Sequence, residues 1–260
     1  MHWIVLFLIS FVALEAEIIE IKKIDECMEH IKPEMLIVFD IDNTLMEAAQ
    51  TLGSDQWFGH RMDEYKDRGF SKEEALQITR AEWVSIQYKT KVKAVESTTA
   101  ALIQKLQKNG WKVIGLTNRG LYLATRTIEQ LQSIGINLST TDFAHEISFD
   151  DEHGIMYRDG IVFSAGTAKG TVFFQFLEKA QYHPKKILFV DDRKCHLQNV
   201  ETACNQHQIP FLGLRYGFLD EKVQHMRSDI ADIQLKYFGQ LISDEEAEKY
   251  LKSHSGFPDE

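Results

Sequence analysis

The chain has 260 residues, 44% hydrophobic and 26% charged, a balance that suits one soluble globular domain, or one domain with a large insertion, and a sizeable core. Its net charge of -10 excludes broad contact with nucleic acid or anionic lipid, because both demand a basic surface. Three cysteines, Cys27, Cys195 and Cys204, are too few for a disulfide scaffold and lack metal-ligand spacing.

MHWIVLFLISFVALEAE opens the chain with an apolar run from Trp3 to Leu14, short of the about 20 residues that span a bilayer. It has the length of a secretory h-region, with the small Ala16 at the cleavage position and Leu14 two residues earlier, although no Lys or Arg precedes it. Residues 1–16 are expected to be a cleaved signal peptide, which exports the protein to the periplasm or beyond and leaves no stable membrane span. Uncleaved, the run would be a membrane anchor; a buried N-terminal helix is the third reading.

EIIEIKKIDECMEHI follows, with Ile18, Ile21, Ile24, Met28 and Ile31 at helical spacing, and predicts an amphipathic helix. LIVFD (36–40), WKVIGLT (111–117) and KKILFVDD (185–192) read as buried strands, with FLGLRY (211–216) as an outer one. Short apolar runs alternating with helical patterns predict an α/β fold with a Rossmann-type parallel sheet. Asp40, Thr117 and Asp191 then stand at carboxyl ends of parallel strands, where the crevice of an open α/β sheet binds ligands.

About 70 residues separate the first two strands, far more than a crossover needs, and they read as helical. DQWFGHRMDEYKDRG ends at Gly69, and Ser71 with Glu74 forms a capping box that opens SKEEALQITRAEWVSIQYK. Residues 46–95 are expected to form a helical cap over the strand ends, inserted into a core of residues 17–45 and 96–260. Trp57, Phe58, Tyr65, Trp83 and Tyr88 serve its packing or a substrate; His60, Arg61 and Arg158 are candidate specificity residues. Ser97 to Asn109 forms the next helix, closed by Gly110.

HEISFDDEHGIMYRDGIVFSAGTAKG holds short strand-like runs, and Asp159-Gly160 is a hairpin signal. KCHLQNVETACNQH reads as one helix that sets Cys195 and Cys204 about 13.5 Å apart along its axis, on opposite faces. The tail from Phe218 reads as polar helices, among them SDEEAEKYLK, before a loose end.

Asp40 and Asp42 lie two apart, so in extended chain both carboxylates face one reacting group. One can attack while the other moves protons, and a carboxylate nucleophile on phosphorus needs cationic help. Thr117 in LTNRG offers a hydroxyl, followed by backbone N–H groups, for phosphate oxygens. Lys169 in GTAKG joins a positive side chain to the positive start of a helix. Asp191 and Asp192 complete with Asp40 an oxygen-only site for Mg²⁺. Taken singly, each has an ordinary explanation: acids cap helices, and a helix lysine is solvated. Their order, each at a strand end or helix start, singles them out together.

DIDNT with Asp40 and Asp42, then Thr117, then Lys169, then the pair Asp191 and Asp192 resembles the four motifs of the haloacid dehalogenase (HAD) superfamily, over about residues 34–217. The resemblance implies Asp40 as nucleophile, Asp42 as acid/base with its backbone carbonyl on the metal, Thr117, Asn118 and Lys169 around the phosphoryl group, and a sheet with the strand of Asp191 beside that of Asp40. Asp42 is similar to the residue of the phosphatase and phosphotransferase branches. LIVFDIDNTL, LTNRG, DGIVFSAG and ILFVDDR also look similar to an uncharacterised exported HAD-like family of intracellular bacteria, and to secreted HAD acid phosphatases. The expected activity is hydrolysis of a small-molecule phosphomonoester or a phosphoprotein. A phosphotransferase of the same superfamily and a non-catalytic exported binding protein are the alternatives. Asn118 and Arg119 are candidates to assist through backbone or side chain, with a structural role the first reading of Arg119.

Overall fold

A computed structural model describes residues 16–140, 143–150, 153–237 and 242–254. The expected signal peptide, apart from Ala16, and residues 255–260 of the expected loose end KSHSGFPDE lie outside the described residues, whereas its first three residues, 252–254, belong to the last helix. β1 (Ala16–Ile21) leads through a 3-10 turn, Ile24–Glu29, into β2 (Met35–Phe39). An insert follows, with β3 (Met46–Ala48), α1 (Asp55–Asp67), α2 (Lys72–Gln87) and β4 (Val92–Ala94). After α3 (Thr99–Lys108), β5 (Lys112–Thr117) and α4 (Ala124–Ser133), an excursion forms β6 (Glu146–Asp150), β7 (Ile155–Arg158) and β8 (Ile161–Phe163). The chain closes with α5 (Lys169–Lys179), β9 (Lys186–Asp191), α6 (Lys194–Gln206), β10 (Phe211–Tyr216), α7 (Asp220–Gln224), α8 (Ser228–Lys236) and α9 (Asp244–His254).

Among the described residues, eight strands form one sheet in the order β1-β10-β9-β2-β5-β8-β7-β6. It is parallel from β1 through β8 and antiparallel across β7 and β6. The strand carrying Asp191 lies beside the strand that leads into Asp40, as the resemblance implied. Both faces of the central strands are covered. Ile37 and Phe39 of β2, with Leu188 and Val190 of β9, enter one apolar cluster. Leu36, Val38, Ile187 and Phe189 enter the other. Burial on both faces is what turns such strands into unbroken apolar runs in the sequence.

The segment 18–31 is not the expected helix. Its first part pairs in parallel with β10, Ile18 opposite Gly213 and Ile19 opposite Leu214. Ile19 and Ile21 pack on one core cluster and Ile18 on the other, the two-residue alternation of a strand. The isoleucines suit either periodicity, and the free edge of β10 decides it, a tertiary influence typical of strands. β10 is therefore an inner strand and β1 the outer one. The helical part shrinks to the 3-10 turn, where Glu26 accepts from the N–H groups of Lys22 and Lys23 at 3.0 and 2.7 Å.

Between β2 and β5 the insert is helical, but it also contains a short antiparallel ladder of β3 and β4. Ser54 caps α1 by accepting from Trp57 N–H at 3.1 Å, and the capping box forms between Ser71 and Glu74. Trp57, Trp83, Leu52 and Ile86 pack with Leu123 and with Ala231 of α8, so the insert shares its core with the main body. The Asp159-Gly160 turn joins β7 to β8 with φ of +48° and +86°, a conformation glycine favours. A Cβ at Gly160 would lie 2.0 Å from the Leu138 carbonyl oxygen, so no other residue fits.

Candidate active site

Asp40 follows β2 directly and is tied to β9, its N–H donating to the Val190 carbonyl at 2.9 Å. The chain then curls instead of extending. The N–H groups of Leu45 and Met46 both donate to the Ile41 carbonyl at 3.0 Å, and Asn43 takes φ of +60°. Asp40 and Asp42 consequently have different partners, and the extended-chain reason given above for their common direction does not hold. Asp40 is buried against Lys169, whereas the Asp42 side chain, 25% exposed, lines a cavity and faces Arg119.

Lys169 is the first residue of α5 and its side chain is 1% exposed; Nζ donates to Asp40 Oδ1 at 2.5 Å and to Asp191 Oδ2 at 2.7 Å. Asp191, at the end of β9, also accepts from the Arg193 N–H at 2.8 Å and contacts His196 Nδ1 at 3.1 Å. His196 Nε2 lies 3.1 Å from Asn118 Nδ2, and Asn118 Oδ1 accepts from the Ser164 hydroxyl at 3.1 Å. With the imidazole proton on Nδ1, each of these contacts pairs a donor with an acceptor. Asp192 accepts from Asn43 Nδ2 at 3.5 Å. Thr117, buried at the end of β5, accepts the Arg119 N–H at 3.1 Å on its hydroxyl oxygen.

Carboxylate oxygens of Asp40, Asp191 and Asp192 lie within 4.8 Å of one another. Burial pushes Asp40 up to about 8, the neighbouring Asp191 adding to the rise and Lys169 opposing it. Burial likewise raises Asp192 to about 9, with Asp40 and Asp191 contributing. Asp191 goes the other way: burial works upward, but Lys169 and His196 hold it below the usual carboxylate range. Lys169, despite its burial, is raised by Asp191 and Asp40 and stays charged. One lysine thus faces three acids that are short of counter-charge, and a hard divalent cation fits that oxygen-only set.

A cavity of about 230 Å³ opens beside this cluster. Asp42, Asn118 and Arg193 form part of its wall, and Phe58, Trp83 and Arg80 of the insert line it as well. Arg193 also reaches Asp55 at the start of α1, 3.6 Å away. Of the five aromatics considered above, Phe58 and Trp83 line the cavity; Trp57 is buried in the core of the insert, Tyr65 donates to Glu82, and the exposed Tyr88 donates to the Tyr122 carbonyl. The three candidate specificity residues are elsewhere. His60 faces Glu64, Arg61 pairs with Glu82 and Glu64, and Arg158 pairs with Glu146. A charged side chain on the insert finds an acid within reach, and periodicity does not tell which helix face meets the cavity.

The sequence did not single out His196 or Ser164, and it did not pair Arg119 with Asp42. The one available signal for His196 was its place a turn into the helix that follows Asp191-Asp192; for Arg119 it was its position directly after Thr117 and Asn118.

A family model described as "Protein of unknown function (DUF2608)" matches residues 17–248. A Chlamydia muridarum protein named "Putative outer membrane protein" is 29% identical over 216 residues, covering 83% of this chain and 82% of its own. A haloacid dehalogenase-like hydrolase of Streptococcus pneumoniae aligns with 70% of this chain and 95% of its own at 15% identity and a TM-score of 0.43. The class C acid phosphatase of Bacillus anthracis aligns with 91% of this chain and 85% of its own at 10% identity and a TM-score of 0.34.

Proposed function

The chain belongs to the DUF2608 family, and we propose that this member is a Mg²⁺-dependent phosphoric monoester hydrolase working through an aspartyl-phosphate on Asp40. The observation that carries this reading is Lys169 bridging Asp40 and Asp191 at the ends of adjacent parallel strands, with Asp192 completing the acidic set. A cation and an attacking carboxylate then converge where a phosphoryl group can enter from the cavity.

The carboxylates of Asp40, Asp191 and Asp192, with the backbone carbonyl of Asp42, would hold Mg²⁺, which supplies Lewis-acid neutralisation of phosphoryl oxygens when bound. In the first step an Asp40 oxygen attacks phosphorus, the bond to the leaving oxygen breaks, and Asp42, which carries a proton when the ester enters, gives it to that oxygen. Lys169, the Thr117 hydroxyl and Asn118 hold the phosphoryl oxygens meanwhile. In the second step water attacks the same phosphorus, Asp42 takes a proton from it, and the bond to Asp40 breaks, releasing phosphate and restoring both aspartates. The insert wall, Phe58, Trp83 and Arg80, contacts the leaving group and keeps bulk water away.

Action outside the cytoplasm is part of the proposal. The apolar run Trp3 to Leu14 and the name carried by the chlamydial relative support export. No helix among the described residues is long and apolar enough to cross a membrane.

A phosphomonoester panel, run with Mg²⁺ and with excess chelator on wild type and Asp40→Asn, tests the reading. Turnover should require Mg²⁺ and fall at least about a thousandfold in the variant, because the covalent route needs an ionised nucleophile. Equal turnover in both proteins, or full activity in chelator, would remove the mechanism.

A further inference from the structure

Arg119 is 4% exposed at the end of β5 and lies 77 residues from Asp42 in sequence. A guanidinium has five N–H bonds to give, and here all five are taken. Nε donates to Asp42 Oδ2 at 2.8 Å and Nη2 to Asp42 Oδ1 at 2.7 Å. The second Nη2 hydrogen goes to Gln87 Oε1 at 3.2 Å, and the Nη1 hydrogens go to Thr127 Oγ1 at 3.2 Å and Gln130 Oε1 at 2.6 Å. No donor remains for a phosphoryl oxygen. A cation beside a phosphate site is ordinarily read as a ligand for the phosphate, and this saturation argues against that reading.

Resting on the phosphatase reading above, we propose that Arg119 is the positioning residue for Asp42, the device that aims the acid/base carboxylate at the leaving oxygen and then at the attacking water. Asp42 sits on a curled loop with its side chain open to the cavity, where a lone carboxylate would sample several rotamers. A bidentate fork fixes both its oxygens and its plane. The fork is itself held from two sides. Thr127 and Gln130 anchor it on α4, while Gln87 belongs to the insert and is pinned by donating to the Gly53 carbonyl at 2.6 Å. Trp83 covers the guanidinium, its ring 5.1 Å from Cζ. The aim of Asp42 therefore depends on the insert being seated; Arg119 borders the cavity with no N–H left for a substrate oxygen, and Gln87 is not among the residues that line it.

Leaving-group dependence separates aiming from mere stabilisation. An alkyl phosphate needs a proton on its leaving oxygen; p-nitrophenyl phosphate departs as a stable anion and needs little help. Arg119→Lys keeps the charge but loses the fork. It should lower kcat/KM for glycerol phosphate, which reports the leaving-group step, at least about a hundredfold, the effect of misplacing a reacting group by about 1 Å, with kcat/KM for p-nitrophenyl phosphate changed only a few-fold. With p-nitrophenyl phosphate the same variant should show a burst of nitrophenolate in rapid mixing, because the phosphoenzyme still forms while its hydrolysis awaits a well-aimed Asp42. In an Asp42→Asn background Arg119→Lys should have no further effect on either ester. Gln87→Ala, which leaves the ion pair in place, should show the same leaving-group pattern in weaker form and serves if Arg119→Lys does not fold. Equal losses of kcat/KM on both esters, or effects that add in the double variant, would make Arg119 a structural residue and overturn the proposal. Wild type inactive on both esters would instead overturn the phosphatase reading, and the proposal with it.

Discussion

Replacing Lys169 with methionine removes the one cation that, among the described residues, contacts both Asp40 and Asp191. At 2.5 and 2.7 Å and an effective dielectric of about 20, each pair attracts by about 6 kcal/mol. Burying the three charges consumes most of that gain, so the relevant quantity is the cost of orphaning buried acids, about 3–5 kcal/mol. The loss should depend on pH in a definite direction. Asp40 and Asp192 titrate near 8 and 9 in the fold, above the usual carboxylate value near 4. The unfolded chain therefore binds fewer protons than the native one across that interval, and metal-free stability falls as pH rises through it. Urea unfolding in chelator at pH 6 and pH 9 should show Lys169→Met destabilised at both, and by more at pH 9. Adding Asp191→Asn to the variant removes one of the orphaned charges and should recover part of the loss at pH 9. Mg²⁺ at a hundred times its dissociation constant should add about 2.7 kcal/mol to the wild type. Matching midpoints for wild type and Lys169→Met in chelator, or a double variant no more stable than the single at pH 9, would refute this electrostatic account of the cluster.

Three other outcomes are expected. Trp83→Ala and Arg80→Ala, at the cavity wall, should change KM and the ranking of phosphomonoesters, whereas His60→Ala should leave the ranking as it is; steady-state kinetics over one panel decides between them. Gln234→Ala should lower stability by about 1–3 kcal/mol, read as a shift of the urea midpoint, because buried Gln234 accepts the Leu52 N–H at 2.8 Å and also donates to Asp244 at 2.7 Å. Burial pushes the Cys27 and Cys204 thiols up to about 12, so at pH 8 a thiol reagent should label exposed Cys195 alone in the native protein and all three cysteines after denaturation.

The strands that build the site were legible because burial on both faces leaves a continuous apolar run, as in MLIVF of β2 and KILFVD of β9. The Ser71 capping box and the Asp159-Gly160 turn were legible for a different reason: their chemistry is complete within four residues. Asp40, Thr117 and Asp191 could be placed together because parallel strands deliver their carboxyl ends to one edge. β1 was not legible, since Ile18, Ile19 and Ile21 fit a helix or a strand until the open side of β10 supplies hydrogen-bond partners that no local window contains. Nor was the fork from Arg119 to Asp42, or the line from Asp191 through His196 and Asn118 to Ser164. Local sequence carries propensity and period; which side chains meet across 46, 77 or 78 residues depends on packed distances and rotamers, and only the folded chain sets those.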